Sequence, residues 1–202
     1  MKYLVASDIH GSLYFASELE ERIKEEKIDK LILLGDLYYH GPRNPLTDKY
    51  APNDVSILLN KYKDIILCTR GNCDAEVDEY ISEFPMEENI TLTISGKKFF
   101  FTHGHRYNRD NPPEDFDVLV YGHLHTGFIV RENGKIFANP GSTSIPKGGT
   151  INSYMIITDS ELILKDIDGK VIKKTNYLEN WKEHYYEWIW CNCSRSRSSR
   201  IN

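Results

Sequence analysis

The stretch KYLVASDIHGS, residues 2–12, decides how the fold begins, because an apolar run leads directly into polar side chains. A short continuous apolar run of this kind is typical of a buried strand. Asp8 and His10 come immediately after it, and Ser12 is well placed to cap a following helix. Because residues two apart in an extended segment point to the same side, Asp8 and His10 are expected to direct their side chains to one place.

The stretches that follow alternate between helix and strand. SLYFASELEERIKEEK has the apolar spacing of a helix, KLILLGD is a second buried strand, APNDVSILLNKYKD is a second helix, and IILCTRGN is a third strand. This order predicts right-handed crossovers and a parallel sheet covered by helices. Asp36 ends the second strand and Asn72 the third, so both are expected at the carboxyl edge of the sheet beside Asp8 and His10.

The second half of the chain is richer in strands. ITLTISGKKFFFTHGH predicts two strands around a Ser-Gly turn, DVLVYGHLH predicts another strand, and GFIVRENGKIFANPG predicts a hairpin around Asn-Gly. SYMIITDSELILKDIDGKVIKKT adds further short strands. We therefore expect the second half to form a second sheet packed on the first, which makes a layered α/β sandwich.

Length and composition limit the domain organisation. The chain has 202 residues, of which 40% are hydrophobic, and this suits one domain with an appendage. We place the domain at residues 1–175 and a C-terminal extension at 176–202. In the extension, a predicted helix precedes a disordered Arg/Ser tail.

Charge and hydropathy limit the location and the partners. The net charge of −5 disfavours broad binding to nucleic acid, which prefers basic surfaces. No apolar run approaches the ~20 residues of a membrane span, and the start of the chain does not read as a signal peptide. We expect a cytoplasmic protein with reduced cysteines and no membrane partner.

Histidine and carboxylate side chains are concentrated where strands end. Five of the seven histidines fall in three short patterns, DIH at 8–10, HGH at 103–105 and HLH at 123–125. A single Asp or His after a strand is usually a cap or a solvated side chain, but independent caps do not explain imidazoles and carboxylates after nearly every core strand. The joint pattern indicates a metal site, and the predicted ligands are Asp8, His10, Asp36, Asn72, His103, His123 and His125.

The number and kind of these ligands indicate two metal ions. A tetrahedral structural site uses four ligands, so the larger set fits two ions that share a bridging carboxylate. Imidazole and carboxylate without thiolate suit manganese, iron, zinc or nickel. Two such ions about 3.5–4 Å apart form the clamp that is used for phosphoryl hydrolysis. With a bridging hydroxide they leave a local cationic site that suits a phosphate anion.

The same positions carry a family resemblance. The order Asp-x-His, Gly-Asp, Gly-Asn, His and Gly-His-x-His resembles the calcineurin-like metallophosphoesterases. The longer stretches ASDIHGS, LGDLYYHGPRN, RGNCDAEVD, FFFTHGH, VLVYGHLH and NPGSTSIPKGG resemble the YfcE-type phosphodiesterases, a small single-domain branch. The resemblance covers about residues 1–170, and it is specific because the motifs occur together in the family's order.

The resemblance implies a hydrolase with a four-layer α/β/β/α sandwich, in which two mixed β-sheets are flanked by helices. It also implies two divalent ions per chain, with manganese expected first and zinc, iron or nickel as alternatives. One ion would be held by Asp8, His10, Asp36 and His125, and the other by Asp36, Asn72, His103 and His123, with Asp36 bridging. A hydroxide bridging the ions would hydrolyse a small phosphodiester substrate without a covalent enzyme intermediate.

Four residues are assigned to the substrate: His40, Arg43, Cys73 and His105. Arg43 lies in the loop after the second strand and can bind a phosphate with two donors. The larger family usually has His where this chain has Cys73, and this departure puts the general acid in doubt. A weak S–H donor favours diesters and activated esters as substrates. His105 is expected to face the substrate or to support a metal ligand. The predicted catalytic residues are Asn72, His105, Cys73 and Arg43.

Other functions stay open at the level of sequence. Close relatives of the fold include the retromer scaffold subunit, so a non-catalytic interaction module is one alternative, and a phosphomonoesterase or a nuclease is another. A scaffold is free to lose ligands, whereas every ligand position is filled here. The acidic balance argues against a nuclease. A metal-dependent phosphodiesterase is the favoured interpretation, and a homo-oligomer is an open question.

Overall fold

The structure is a computed structural model that describes residues 1–179. The helix and the Arg/Ser tail that we predict within 180–202 lie outside the described residues. None of the helices in the described part has the length and the apolar character that a membrane crossing needs. The elements follow in the order β1 (Tyr3–Ala6), α1 (Leu13–Glu26), β2 (Lys30–Leu33), α2 (Pro52–Asn60), β3 (Ile66–Thr69), α3 (Glu76–Ile81), β4 (Met86–Glu87), β5 (Asn89–Ile94), β6 (Lys97–Thr102), β7 (Val118–Tyr121), β8 (Gly127–Glu132), β9 (Lys135–Pro140), β10 (Ser153–Ile157), β11 (Glu161–Asp166) and β12 (Val171–Asn176).

A seven-stranded sheet in the order β12-β11-β10-β1-β2-β3-β4 forms one layer. The strands β1 to β4 run parallel, as predicted for crossovers through helices. The predicted cap of α1 is confirmed, because the hydroxyl of Ser12 accepts a hydrogen bond from the backbone N–H of Phe15 at 3.3 Å. Both α1 and α2 pack apolar side chains, including Leu19 and Leu59, on one face of this sheet.

The last three strands correct one prediction. We expected the second half of the chain to build the second sheet, but β10, β11 and β12 join the first sheet, and β10 pairs antiparallel with β1. The physical reason is burial on both faces. Every residue of β10 is buried, and such a strand fits a layer that is covered by helices on one face and by a sheet on the other.

The five-stranded sheet, in the order β5-β6-β7-β9-β8, packs on the first sheet. Successive side chains along a strand of this sheet alternate between the core and the outer face. Phe99 and Phe101 of β6 lie in the core between the sheets with Val5 and Ile32, whereas Phe100 faces outward. The interior between the sheets is therefore apolar, and polar chemistry is confined to the strand ends.

The outer face of the five-stranded sheet is covered by segment 103–117 in the described part of the chain. Phe116 packs on this face, and Tyr107 contacts the ring of Phe100 edge-on at 5.6 Å. The two mixed sheets with flanking helices confirm the predicted α/β fold. Within residues 1–179, however, all three helices pack on the seven-stranded sheet, and the Asn-Pro-Pro run in the covering segment prevents a regular helix there.

The end of the last strand lies close to the predicted domain boundary. β12 ends at Asn176, and the buried ring of Tyr177 stands edge-on to Phe99 at 5.0 Å. The hydroxyl of Tyr177 donates to the carbonyl oxygen of Thr158 at 2.8 Å. These contacts belong to the packed fold, and the division at 175/176 stays a prediction.

Candidate metal centre

All the predicted ligand residues lie where strands of both sheets end. Asp8 and His10 follow β1, Asp36 follows β2 and Asn72 follows β3 in the seven-stranded sheet. The five-stranded sheet places the other three after β6 and β7 at the same edge. The structure thus brings together Asp8, His10, Asp36, Asn72, His103, His123 and His125.

The backbone at these strand ends has left-handed conformations that are uncommon outside glycine. Each such residue costs about 1–3 kcal/mol and persists only where the surrounding structure fixes it. We expected Asp8 and His10 to converge because an extended strand points them to one side, but tight turns bring them together instead. The positive φ angles are 56° at Asp8, 48° at His10, 53° at Asp36, 64° at His123 and 57° at His125.

Glycines allow the ends of β2 and β3 to approach closely. A Cβ atom on Gly35 would lie 2.3 Å from the backbone nitrogen of Gly71, and a Cβ atom on Gly71 would lie 2.2 Å from Oδ1 of Asp36. Both positions therefore exclude any side chain. The strand end after β1 is tied to the same turn, because the N–H of His10 donates to the carbonyl oxygen of Asp36 at 2.9 Å.

Asp74 fixes the position of Asp36 without reaching the centre itself. One of its carboxylate oxygens accepts from the N–H of Asp36 at 2.8 Å and from the N–H of Gly71 at 2.7 Å, and the other accepts from the N–H of Leu37 at 2.8 Å. Burial and the charge of Asp36 raise the pKa of Asp74 to about 6, and the three N–H donors oppose that rise. Asp74 is thus a support for the turn rather than a cap of α3, which begins after Ala75.

Three of the histidines are held in one tautomer by backbone carbonyls. Nδ1 lies 2.7 Å from the carbonyl oxygen of Tyr39 in His10, 2.7 Å from that of Leu34 in His103, and 2.8 Å from that of Ile145 in His125. A carbonyl oxygen only accepts, so each Nδ1 donates its proton, and Nε2 carries a lone pair once the ring is neutral, as a metal ligand must be. This arrangement is typical of histidines that bind a metal through Nε2.

These lone pairs converge with a buried carboxylate. Nε2 of His10 and Nε2 of His125 lie 3.2 Å apart, and they face Oδ1 of Asp8 at 3.7 Å and 3.3 Å. Within the described residues, this Oδ1 atom is buried and has no hydrogen-bond partner. Two lone pairs and a carboxylate oxygen repel one another unless a cation lies between them. The three side chains therefore fit a divalent ion.

A second group meets the first through Asp36. Nε2 of His103 lies 3.4 Å from Oδ2 of Asp36, 3.0 Å from Oδ1 of Asn72 and 3.2 Å from Nδ1 of His123. The same Oδ2 atom lies 3.7 Å from Nε2 of His10, so Asp36 faces both groups. Burial alone would raise the pKa of Asp36, but the hydrogen bond and charge of His103 keep it well below its usual range.

Cys73 lies closer to these groups than the sequence indicated. Its Sγ atom joins His10 and Asp36 in a cluster whose ligand atoms all lie within 4.8 Å of one another. Its backbone N–H donates to Oδ1 of Asp36 at 2.8 Å, and Nδ2 of Asn72 donates to its sulfur at 3.3 Å. Burial, followed by the charge of Asp36, raises the pKa of the thiol to about 12. In the absence of a metal the sulfur is therefore a protonated thiol and a poor nucleophile at neutral pH.

A cavity of about 770 Å³ opens beside the centre. It includes Arg43 and Cys73, two of the four predicted substrate residues. The other two are not among its lining residues. His40 packs between the rings of Tyr39 and Tyr50, and His105 lies beside His103 and His123. The lining residues are His10, Asp36, Tyr39, Gly41, Pro42, Arg43, Asn44, Asn72, Cys73, Asp74, Ala75, His123, His125 and Lys147.

Sequence reasoning missed Tyr39 and Lys147 in this lining. Tyr39 was visible only as part of the loop after β2, and its carbonyl oxygen rather than its ring contacts His10. Lys147 lies in the loop between β9 and β10, far along the chain from His125. Its backbone N–H donates to the carbonyl oxygen of His125 at 2.8 Å, and no residue spacing predicts such a long-range contact.

Comparison with known proteins identifies relatives of this chain. The family model described as "Calcineurin-like phosphoesterase superfamily domain" matches residues 1–161. Phosphodiesterase YfcE of Escherichia coli (strain K12) is 42% identical over 166 residues, which cover 80% of this chain and 90% of that protein.

Solved structures share the fold as well. Yfce, a phosphoesterase from E. coli, matches with a TM-score of 0.85 at 36% identity, covering 88% of this chain and 100% of that chain. Vacuolar Protein Sorting 29 from Cryptosporidium parvum matches with a TM-score of 0.60 at 20% identity, covering 87% and 97% of the two chains, and this likeness concerns the fold alone. On the extent of the family match and the 42% identity, this chain belongs to the calcineurin-like phosphoesterase superfamily.

Proposed function

We propose that this protein is a metal-dependent phosphodiesterase that hydrolyses small phosphodiesters with two divalent ions. The observation that carries the proposal is the position of Asp36, whose Oδ2 faces Nε2 of His103 at 3.4 Å and Nε2 of His10 at 3.7 Å. A carboxylate between two groups of imidazole nitrogens fits a bridge between two cations. The 42% identity to a phosphodiesterase supports the substrate class.

The proposed ligands divide between the two ions as the family pattern implies. Their imidazole, carboxylate and amide donors suit manganese, with zinc, iron or nickel as alternatives. When bound, the ions would supply the positive charge that activates a water molecule as the nucleophile. Asp8, His10, Asp36 and His125 would hold one ion, and Asp36, Asn72, His103 and His123 the other.

Substrate binding is assigned to residues that line the cavity. Arg43 is exposed there and can bind the non-bridging oxygens of the phosphate with two donors. The neutral amide of Asn72 offers an oxygen without cancelling the positive charge that a phosphate anion needs. Arg43 and Cys73 line the cavity, which supports their assignment to the substrate. His40 and His105 stay predicted substrate residues.

Cys73 sets the expected leaving-group preference. Its thiol pKa of about 12 makes it a weak acid and a poor proton donor to an alkoxide leaving group. Activated leaving groups depart without a proton from the enzyme, so diesters and other esters that carry them should be the better substrates. The proposal therefore favours diesters over monoesters with poor leaving groups.

The test is a pair of assays on the manganese-loaded protein, one with bis(p-nitrophenyl) phosphate and one with p-nitrophenyl phosphate. The two substrates share their leaving group and differ in the second ester substituent, so the ratio of their kcat/KM values reports the substrate class, and we expect it to favour the diester. A preference for the monoester would contradict the substrate class. Absence of hydrolysis of both substrates by fully loaded protein would favour the non-catalytic scaffold.

A further inference from the structure

Arg43 and Lys147 both line the cavity, and they come from two different loops. Arg43 belongs to the loop after β2, where a Cβ atom on Gly41 would lie 3.3 Å from the sulfur of Cys73. Lys147 belongs to the loop between β9 and β10, which is bonded to His125. Each of the two loops is therefore in contact with a residue of the candidate metal centre, one with Cys73 and the other with His125.

The backbone of Lys147 is fixed, although its side chain is exposed. Its N–H donates to the carbonyl oxygen of His125 at 2.8 Å. Its own carbonyl oxygen accepts from the hydroxyl of Thr150 at 2.8 Å and from the hydroxyl of Thr126 at 3.5 Å. The carbonyl oxygen of Ile145, two residues before Lys147, accepts from Nδ1 of His125 at 2.8 Å. The loop that orients His125, a proposed metal ligand, therefore also fixes the backbone position of Lys147.

The charges at the ends of these two side chains are not neutralised. Within residues 1–179, neither Arg43 nor Lys147 forms an ion pair or a side-chain hydrogen bond. Some exposed cations of this acidic protein are paired, as Lys61 is with Glu20 at 3.4 Å, whereas Lys173 on β12 forms no ion pair within residues 1–179. What distinguishes Arg43 and Lys147 is that both line the cavity beside the candidate metal centre. Two unpaired cations facing one cavity indicate a ligand with more than one anionic group.

A simple diester phosphate carries a single negative charge, and the metal centre and Arg43 already face it. We propose that Lys147 is a specificity residue that binds a second anionic group, a carboxylate or a further phosphate, on the ester substituent that is not the leaving group. This inference rests on the proposed phosphodiesterase function and names its substrate class as diesters that carry an additional anion. Lys147 then selects among diesters and takes no part in bond cleavage.

The kinetic test compares p-nitrophenyl 3-carboxypropyl phosphate with p-nitrophenyl butyl phosphate, which share the leaving group and differ by one carboxylate. We expect kcat/KM to favour the carboxylate substrate by about fivefold, the size of an exposed ion pair. K147M should remove this preference and leave the butyl substrate unchanged, and K147R should retain it. K173M, which changes an exposed lysine on β12, should behave as wild type. Equal loss on both substrates in K147M would overturn the proposal.

A binding measurement separates this inference from the proposed function. Isothermal titration of manganese-loaded protein with 3-carboxypropyl phosphate and with butyl phosphate needs no turnover. We expect the carboxylate compound to bind about fivefold more tightly to wild type and no more tightly to K147M. If this ratio is found in a protein that hydrolyses neither diester, the specificity role holds and the enzymatic function fails. Equal binding of the two compounds to wild type would overturn the role of Lys147.

Discussion

The two sheets contribute different chemistry to the centre. The seven-stranded sheet supplies every oxygen donor among the proposed ligands, from Asp8, Asp36 and Asn72, whereas the five-stranded sheet supplies only imidazoles. The first sheet is covered by helices on its outer face, and the second is covered there by segment 103–117 in the described part of the chain. Neither sheet holds a full ligand set, so the centre exists only where the two are stacked.

The contact between the sheets at this edge is close and specific. A Cβ atom on Gly122, after β7, would lie 1.9 Å from the hydroxyl oxygen of Ser7, after β1. The N–H of His123 donates to Oδ2 of Asp8 at 3.0 Å, and the hydroxyl of Ser142 donates to the carbonyl oxygen of Asp8 at 2.7 Å. Packing between the sheets therefore determines the geometry of the ligands.

The largest effect should come from Asp36, the carboxylate that faces ligands of both sheets. Replacing a residue that only supports a metal ligand costs roughly 10–100-fold, so we expect D36N to lower kcat/KM for a diester by more than about 100-fold. The measurement is hydrolysis of bis(p-nitrophenyl) phosphate with manganese. D168N, at an exposed turn, is the control. Full activity in D36N would show that Asp36 does not bridge.

The next effect concerns the contact between the sheets itself. In G122A the new methyl group must displace Ser7, and overpacking of this kind typically lowers the free energy of unfolding by about 1–3 kcal/mol. Because the hydroxyl of Ser7 is buried without a partner among the described residues, S7A should be nearly neutral and should relieve part of the clash.

A double-mutant cycle on thermal unfolding tests this contact. G122A with S7A should be destabilised by less than the sum of the two single variants, since the two sites touch. Strict additivity would mean that the two sheets do not meet at Gly122 and Ser7. Manganese content, measured on the same four proteins, should fall in G122A and recover partly in the double variant.

The ligand positions were predictable because each depends on a local signal. An apolar strand followed by Asp, Asn or His can be read directly from the chain, and parallel strands share an edge. The left-handed turns at Asp8 and His10 were not predictable, because they depend on hydrogen bonds to the distant strand end at Gly35 and Asp36. The contact between Lys147 and His125 was not predictable either, because it also joins residues that are far apart along the chain.

The fold was predictable in its elements more than in its sheet order. Local periodicity identified the strands other than β4 and the cap at Ser12, which depend on near neighbours, but it missed the short helix α3. It did not show that Ser153–Ile157 returns to pair with β1, since that choice is made by burial on both faces in the assembled protein. Nor did it show that segment 103–117 would cover the outer face of the five-stranded sheet.

Metal affinity should depend on pH through a histidine of the five-stranded sheet. In the metal-free protein, burial lowers the pKa of His103, but its hydrogen bond to Asp36 and the charges of Asp8 and Asp36 outweigh burial and raise it to about 9. Below that pH a metal ion must displace this proton, so metal binding weakens as the pH falls. We expect the Kd for manganese to rise about tenfold for each pH unit lost between about pH 8.5 and 6.5.

Calorimetric titration in two buffers of different ionisation enthalpy checks this dependence, because it counts the protons released when manganese binds. One proton or more should be released near pH 7. Binding that releases no proton, with an affinity that does not change with pH, would contradict the assignment of His103 as a ligand.

The smallest effect is expected at Cys73. Loss of a general acid typically costs roughly 10²–10⁴-fold, so C73S should lose less than about tenfold in diester hydrolysis if the thiol is neither acid nor nucleophile. C73H should shift the preference towards esters with poorer leaving groups, because imidazole is the better proton donor. The assays are the diester and monoester pair. An inactive C73S protein with its full metal content would make Cys73 the nucleophile.

The central claim is that the two sheets together hold two metal ions, and metal stoichiometry tests it most directly. Mass-spectrometric metal analysis of the manganese-loaded protein, with activity measured on the same sample, should give two ions per chain in wild type. D36N should hold fewer than two ions and lose activity. One ion per chain in fully active wild type, or full activity after exhaustive removal of metal, would contradict the account.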